Sequence, residues 1–134
     1  MNIYLDSCIV IYLIEGSPQN RTAVEAVFQA RPPTATVISD LVRLECRVGP
    51  LRTGDRTLLQ RFEDFFESAR IVSLSPAVCD LAAELRAQYR LKTPDALHAA
   101  AAIFHGCNEF WTNDRRLAVL EPRLTLRVIP EPVS

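Results

Sequence analysis

Short apolar runs alternate with longer amphipathic ones along the chain, and that rhythm predicts its elements. Residues 2–6, "NIYLD", are rich in large and β-branched side chains and read as a first, buried strand. An apolar helix over 7–15 follows, with Ser7 at its start. A second helix over roughly 19–30 places Val24, Val27 and Phe28 on one face until Pro32-Pro33 stops it. "TATVIS" (34–39) reads as strand two, after which Ser39 caps a helix over 40–48 that Gly49-Pro50 ends. On that helix Leu41, Val42, Leu44 and Val48 form the apolar stripe, and Asp40, Arg43 and Arg47 the polar face. Residues 55–69 form an amphipathic helix with Leu58, Leu59, Phe62, Phe65 and Phe66 inward. "RIVSL" is strand three, and Ser75-Pro76 opens a helix that runs to about Arg90. Thr93-Pro94 opens another, "PDALHAAAAIFH", stopped by Gly106. "NEFWT" is strand four, residues 116–120 a short helical turn and "LTLRVI" strand five, with a tail "PEPVS" that is expected to fray.

Strands alternating with helices imply an α/β domain whose sheet is parallel and covered on both faces. In such sheets, sites collect outside the carboxyl ends of the strands, near the point where strand order reverses. Asp6 stands at one such end. Asp114 stands at another, two residues beyond Thr112. With 134 residues and no internal repeat or linker, residues 1–134 read as one domain with one core.

Composition narrows the chemistry. Net charge is −1, so no global positive field advertises a nucleic-acid binder, and a polyanion has to be held by local basic groups or by metal ions. The cysteines Cys8, Cys46, Cys79 and Cys107 form no C-x-x-C and no Cys/His pair at ligand spacing, which argues against a Cys-rich zinc site. Each lies in an apolar or helical stretch, the habit of a free buried thiol in a reducing compartment. No charge-free run is long enough to cross a bilayer, and the N-terminus lacks the basic region of a signal peptide. The expected location is the cytoplasm, without a membrane partner.

Four carboxylates stand where an α/β domain brings residues to one rim. Asp6 ends a buried strand, where an uncompensated charge is costly. Glu45 falls within the apolar stripe of its helix; alone, it reads as well or better as a glutamate reaching to an edge or paired with an arginine. Asp95 sits in a helix first turn, where the dipole and free N–H groups favour a carboxylate, and alone that role outweighs a catalytic one. Asp114, in "TNDRR", is also ordinary turn chemistry. Together, carboxylates at one site repel and raise one another's pKa, and a hard divalent cation, Mg²⁺ or Mn²⁺, resolves the repulsion through oxygen ligands. His98, one turn after Asp95, could bind metal or move a proton, although a hydrogen-bonded helix histidine is the more usual outcome. Apolar residues Ile9, Ile11, Tyr12 and Leu13 exceed what one inward face of a short helix requires, and suggest a groove or dimer surface.

The set "YLDSC", "SDLVRLECR", "TPDALHAAAA" and "WTNDRRL", in this order and spacing, resembles a PIN-domain nuclease, and more narrowly a VapC-type toxin of a bacterial toxin–antitoxin pair. The resemblance runs from Asn2 to about Ile129. It implies a three-layer α/β/α sandwich around a mostly parallel sheet of four to five strands. It also implies Mg²⁺- or Mn²⁺-dependent RNA cleavage, homodimers and a small VapB-type antitoxin that blocks the cleft. Carried onto this sequence, Asp6 and Asp95 are core ligands, with Glu45 and Asp114 as direct or water-mediated ligands. Ser7 and Thr112 would hold ligands or water, and Arg115 and Arg116 would contact RNA phosphate, with Arg86, Arg90 and Lys92 a weaker set. Cys8 stands where many relatives carry a polar residue such as Asn. Other acidic-pocket folds fit less well. A haloacid-dehalogenase-like phosphatase needs a second Asp at position 8, a receiver domain needs a lysine after a late strand, and an adhesion module's D-x-S-x-S is broken by Cys8 and Val10. The remaining rival is a PIN-like module that binds RNA or protein without cutting.

Overall fold

The computed structural model describes residues 1–30 and 32–129; the tail expected to fray lies outside the described residues. Five strands form one sheet in the order β3-β2-β1-β4-β5, all parallel. They are β1 (Asn2–Leu5), β2 (Ala35–Ser39), β3 (Arg70–Val72), β4 (Glu109–Thr112) and β5 (Leu126–Val128). Helices α1 (Ser7–Glu15), α2 (Pro18–Ala30), α3 (Asp40–Thr53), α4 (Arg56–Ser68), α5 (Pro76–Tyr89) and α6 (Thr93–Phe104) flank it, giving the α/β/α arrangement. A short 3₁₀ helix, Arg115–Leu120, follows β4. β1 and β4 lie inside the sheet and are buried almost throughout, β1 through its apolar run of Ile3, Tyr4 and Leu5 and β4 with Glu109 and Thr112 flanking Phe110 and Trp111. The chain moves from β1 outward through β2 to β3, then returns to lay β4 on the other side of β1. The switch point therefore falls between β1 and β4, whose carboxyl ends carry Asp6 and Thr112.

α6 packs close to the sheet because it is small: Ala96 and Ala99 to Ala102 are fully buried. α5 covers its other side, with Val78, Ala82 and Leu85 inward. α1 packs against α2, α3, α4 and β4, so Ile11, Tyr12, Leu13 and Ile14 are half-buried against the core and the fold itself takes up much of that helix's apolar surplus.

Four details depart from expectation. α3 does not stop at Gly49-Pro50. Val42, Cys46 and Pro50 recur every four residues on its buried face, so packing holds the helix past the missing proline N–H. It ends at Gly54, whose φ of 72° permits the left-handed cap and whose N–H donates to the Pro50 carbonyl. That inward face also displaces the expected stripe, leaving Leu44 and Val48 exposed with Leu51. Ser39 occupies the N-cap position of α3 but makes no capping bond; its Oγ lies 2.8 Å from Tyr4 Oη. Among the cysteines, all free, only Cys46 is buried outright: Cys8 and Cys107 are half-buried and Cys79 is exposed on α5. Burial pushes the Cys8 thiol up to about 12 and that of Cys107 to about 11, so neither is a thiolate near neutral pH.

Candidate active site

Asp6 leaves the end of β1 and becomes the N-cap of α1, with its Oδ1 accepting from the Ser7 N–H at 2.8 Å. Its Oδ2 accepts from Thr112 Oγ1 at 2.8 Å, across the switch point from the end of β4. Thr112 Oγ1 in turn accepts the Asp114 N–H at 3.1 Å, so one buried hydroxyl ties both acidic loops together. α3 delivers Glu45 from the other side. Glu45 Oε1 accepts from Ser7 Oγ at 3.1 Å and lies 2.5 Å from His98 Nε2, which is also 3.6 Å from Asp6 Oδ1. Ligand atoms of Asp6, Glu45 and His98 all fall within 4.8 Å of one another. Burial works to raise the Glu45 pKa, but the His98 imidazole and the Ser7 hydroxyl opposite it outweigh that and hold the carboxyl below its ordinary value.

Asp95 enters from the start of α6. Lys92, three residues earlier, is the N-cap, and among the described residues no N–H or side chain hydrogen-bonds to the Asp95 carboxylate. Its position in the first turn is thus not one of capping by hydrogen bond. Burial, then the charges of Asp6 and Asp114, raise its pKa above the ordinary value, the mark of a carboxylate facing others of its kind. Asp114 is compensated differently. It N-caps the 3₁₀ helix through the Arg116 N–H at 3.0 Å, while Arg116 Nε and Nη2 reach its two oxygens at 3.0 and 2.7 Å. That fork lowers the Asp114 pKa. Asp95, Asp114, Arg116, Lys92, Arg90 and Tyr89 line one cleft on this side.

The structure thus brings Asp6, Glu45 and Ser7 together at one corner, joins Thr112 to Asp6, and puts Asp95 and Asp114 within electrostatic reach. Arg115 is exposed beside them, and Arg116 faces Asp114 rather than open solvent alone. Arg86 stands apart, its Nε donating to the Leu91 carbonyl at 2.9 Å. His98 is central and hydrogen-bonded, with Nδ1 lying 2.8 Å from Tyr4 Oη. Sequence reasoning gave Tyr4 no role and read Ser39 only as a helix cap. The available signals were a tyrosine two residues before Asp6, on the same strand face, and a lone histidine inside an alanine run.

The sequence profile of the PIN domain matches residues 3–121. No curated protein matches the chain by sequence. Among solved structures, a toxin–antitoxin complex from Klebsiella pneumoniae is 26% identical and superposes with a TM-score of 0.78, covering 98% of this chain and 99% of that one. VapBC2 from Rickettsia felis, bound to a DNA fragment from its promoter, is 22% identical, with a TM-score of 0.77 over 96% of this chain and 98% of that one. VapC20 of Mycobacterium tuberculosis, a Sarcin-Ricin loop cleaving toxin, is 15% identical, with a TM-score of 0.72 over 89% of this chain and 95% of that one. With the profile spanning most of its length and the acidic corner at the switch point of a five-stranded parallel sheet, the chain belongs to the PIN domain family.

Proposed function

We propose that the chain is a VapC-type toxin, an endoribonuclease that hydrolyses RNA phosphodiester bonds with Mg²⁺ or Mn²⁺ and is neutralised by a VapB-type antitoxin. The observation that supports this reading is the meeting of Asp6 and Glu45 at the switch point, with Asp95 near enough that burial and the charges of Asp6 and Asp114 raise its pKa. The donor set fits a hard divalent cation: several carboxylate oxygens at one corner, and excess negative charge that nearby donors only partly offset. Asp6, Glu45 and Asp95 would hold it, with Asp114 engaged directly or through water. When bound, such an ion orients and acidifies a water and neutralises the phosphate. The chain's own residues do the rest. Thr112 and the Ser7 N–H fix the rotamer of Asp6, and Ser7 Oγ aims Glu45. Arg116, with exposed Arg115, Arg90 and Lys92 beside it, offers positive charge to the RNA backbone.

The solved relatives support the partners. One is itself a toxin–antitoxin complex, and VapC20 is a toxin that cleaves the Sarcin-Ricin loop. The exposed Leu44, Val48 and Leu51 stripe of α3 is the surface we assign to homodimer or antitoxin contact. No helix among the described residues is long and apolar enough to cross a membrane, and the cytoplasm is the proposed location. Purified protein freed of antitoxin should cut single-stranded or looped RNA with Mg²⁺ or Mn²⁺ and stop with EDTA. Cleavage indifferent to EDTA would sink the metal mechanism, and RNA left intact under every metal condition would favour a binding module.

A further inference from the structure

Behind the acidic corner, buried polar atoms form a connected chain. His98 is 2% exposed; its Nδ1 lies 2.8 Å from Tyr4 Oη, which lies 2.8 Å from Ser39 Oγ. Its Nε2 lies 2.5 Å from Glu45 Oε1, an oxygen that also accepts from Ser7 Oγ. A carboxylate only accepts, so a neutral His98 facing it carries its proton on Nε2 and leaves Nδ1 bare. Ser39 caps nothing, and among the described residues Tyr4 is its side chain's one hydrogen-bond partner. Its hydroxyl can therefore donate to Tyr4, and Tyr4 to Nδ1. This direction, from Ser39 through Tyr4 to His98 to Glu45, gives every donor an acceptor. If Nε2 gave its lone pair to a cation, the proton would sit on Nδ1. Tyr4 would then donate to Ser39, and the fully buried Ser39 hydroxyl would be left without an acceptor.

We infer that His98 is a positioning residue: it holds Glu45 by donating from Nε2, with its ring fixed by the Ser39–Tyr4 hydroxyl chain, and is not itself a ligand of the cation. The consequence for cation affinity rests on the proposed reading of Glu45 as a ligand; the position of the proton does not. Long-range proton–nitrogen NMR of the whole protein should show Nε2 protonated and Nδ1 bare, both with EDTA and after adding Mg²⁺. An Nε2 that loses its proton when Mg²⁺ is added, or a proton found on Nδ1, would overturn the inference. Mn²⁺ titrations followed by electron paramagnetic resonance supply the second arm. His98→Leu should weaken Mn²⁺ binding about 10–100-fold, as expected for loss of a group that orients a ligand. His98→Gln, whose amide can donate to Glu45, should recover most of that loss. A glutamine variant as weak as the leucine variant, or a folded leucine variant as tight as wild type, counts against the positioning role. Glu45→Gln separates the two readings: unchanged Mn²⁺ binding there removes Glu45 from the ligand set, while the nitrogen shifts still decide where the His98 proton sits. Should the leucine variant fail to fold, those shifts decide the matter alone.

Discussion

Glu45 and Asp95 are both half-buried carboxylates on the same rim, yet folding moves their acidities in opposite directions. Glu45 faces donors: the imidazole of His98 and the hydroxyl of Ser7. Asp95 faces carboxylates, and among the described residues nothing hydrogen-bonds to its oxygens. Burial acts on both, so the difference comes from what the fold has placed opposite each. One half of the cleft holds its carboxylates in place with hydrogen bonds from Ser7, Thr112 and His98. The other leaves the negative charge of Asp95 only partly offset and closes Asp114 with an exposed arginine. A site that binds and releases a cation needs both properties: a fixed arm that sets geometry, and a charge deficit that favours the ion.

The comparison breaks most visibly at Asp95. Asp95→Asn keeps the shape and removes the charge, and should slow RNA cleavage roughly 10²–10³-fold, a loss of several kcal/mol of transition-state charge stabilisation. Metal-free, the same variant should melt no lower than wild type, because it relieves repulsion from Asp6 and Asp114. Mn²⁺ at a hundred-fold excess over Kd should stabilise wild type by about 2.7 kcal/mol and the variant by less. A variant that melts lower in EDTA, gains equally from Mn²⁺ and still cuts RNA would leave Asp95 only a helix-dipole role.

On the fixed arm the effect is smaller. Ser7→Ala removes one hydroxyl donor from Glu45 and should destabilise the fold by about 1 kcal/mol, read from urea midpoints. Proton linkage then distinguishes the arms. The raised pKa of Asp95 makes a contribution to stability that is present below the ordinary aspartate value and fades as pH rises through the folded value. The lowered pKa of Glu45 does the reverse: its contribution is present above the ordinary glutamate value and is lost as pH falls through the folded one. Stability of wild type minus Asp95→Asn, followed in EDTA from neutral to acid pH, should therefore rise as pH falls through the Asp95 range. A flat difference would mean that Asp95 is not crowded by charge. Smallest is the effect of Arg116→Gln, which opens the fork on Asp114 at an exposed position. Melting should barely move. RNA affinity should fall, and the slope of log affinity against log salt should shallow by about 0.7, the value for one phosphate contact on a single strand. An unchanged slope would confine Arg116 to Asp114.

How much of this was legible beforehand differs from element to element. β1 declared itself by its apolar run, β4 by the large aromatics Phe110 and Trp111, and α6 by Pro94 at its start and small residues along its length. Asp6 stood out because a charge at the end of a buried strand needs a partner. The orientation of α3 was not legible. Leu41, Val42, Leu44, Val48 and Leu51 supply apolar residues to more than one face, and only packing against its neighbours selects Val42, Cys46 and Pro50 as the buried row. Pro50 looked like a terminator for the same reason: its local preference is real, and burial overrides it.

What the sequence determined by itself was the α/β alternation, the parallel sheet, Asp6, Asp95 and Asp114 at element ends, and Glu45 within a helix stripe. These follow from periodicity, capping and strand-end position, which act over a few residues. What only the tertiary structure decided was the company each acid keeps. Thr112 reaches Asp6 from 106 residues away, and Tyr4 reaches His98 across 94. Glu45 meets a histidine 53 residues later in the chain, while the charges of Asp6 and Asp114 crowd Asp95. Hydrogen bonding and Coulomb forces fall off over ångströms in space, not residues in sequence, so whether a buried carboxylate is steadied or left wanting a cation is settled when the sheet brings β1 and β4 side by side.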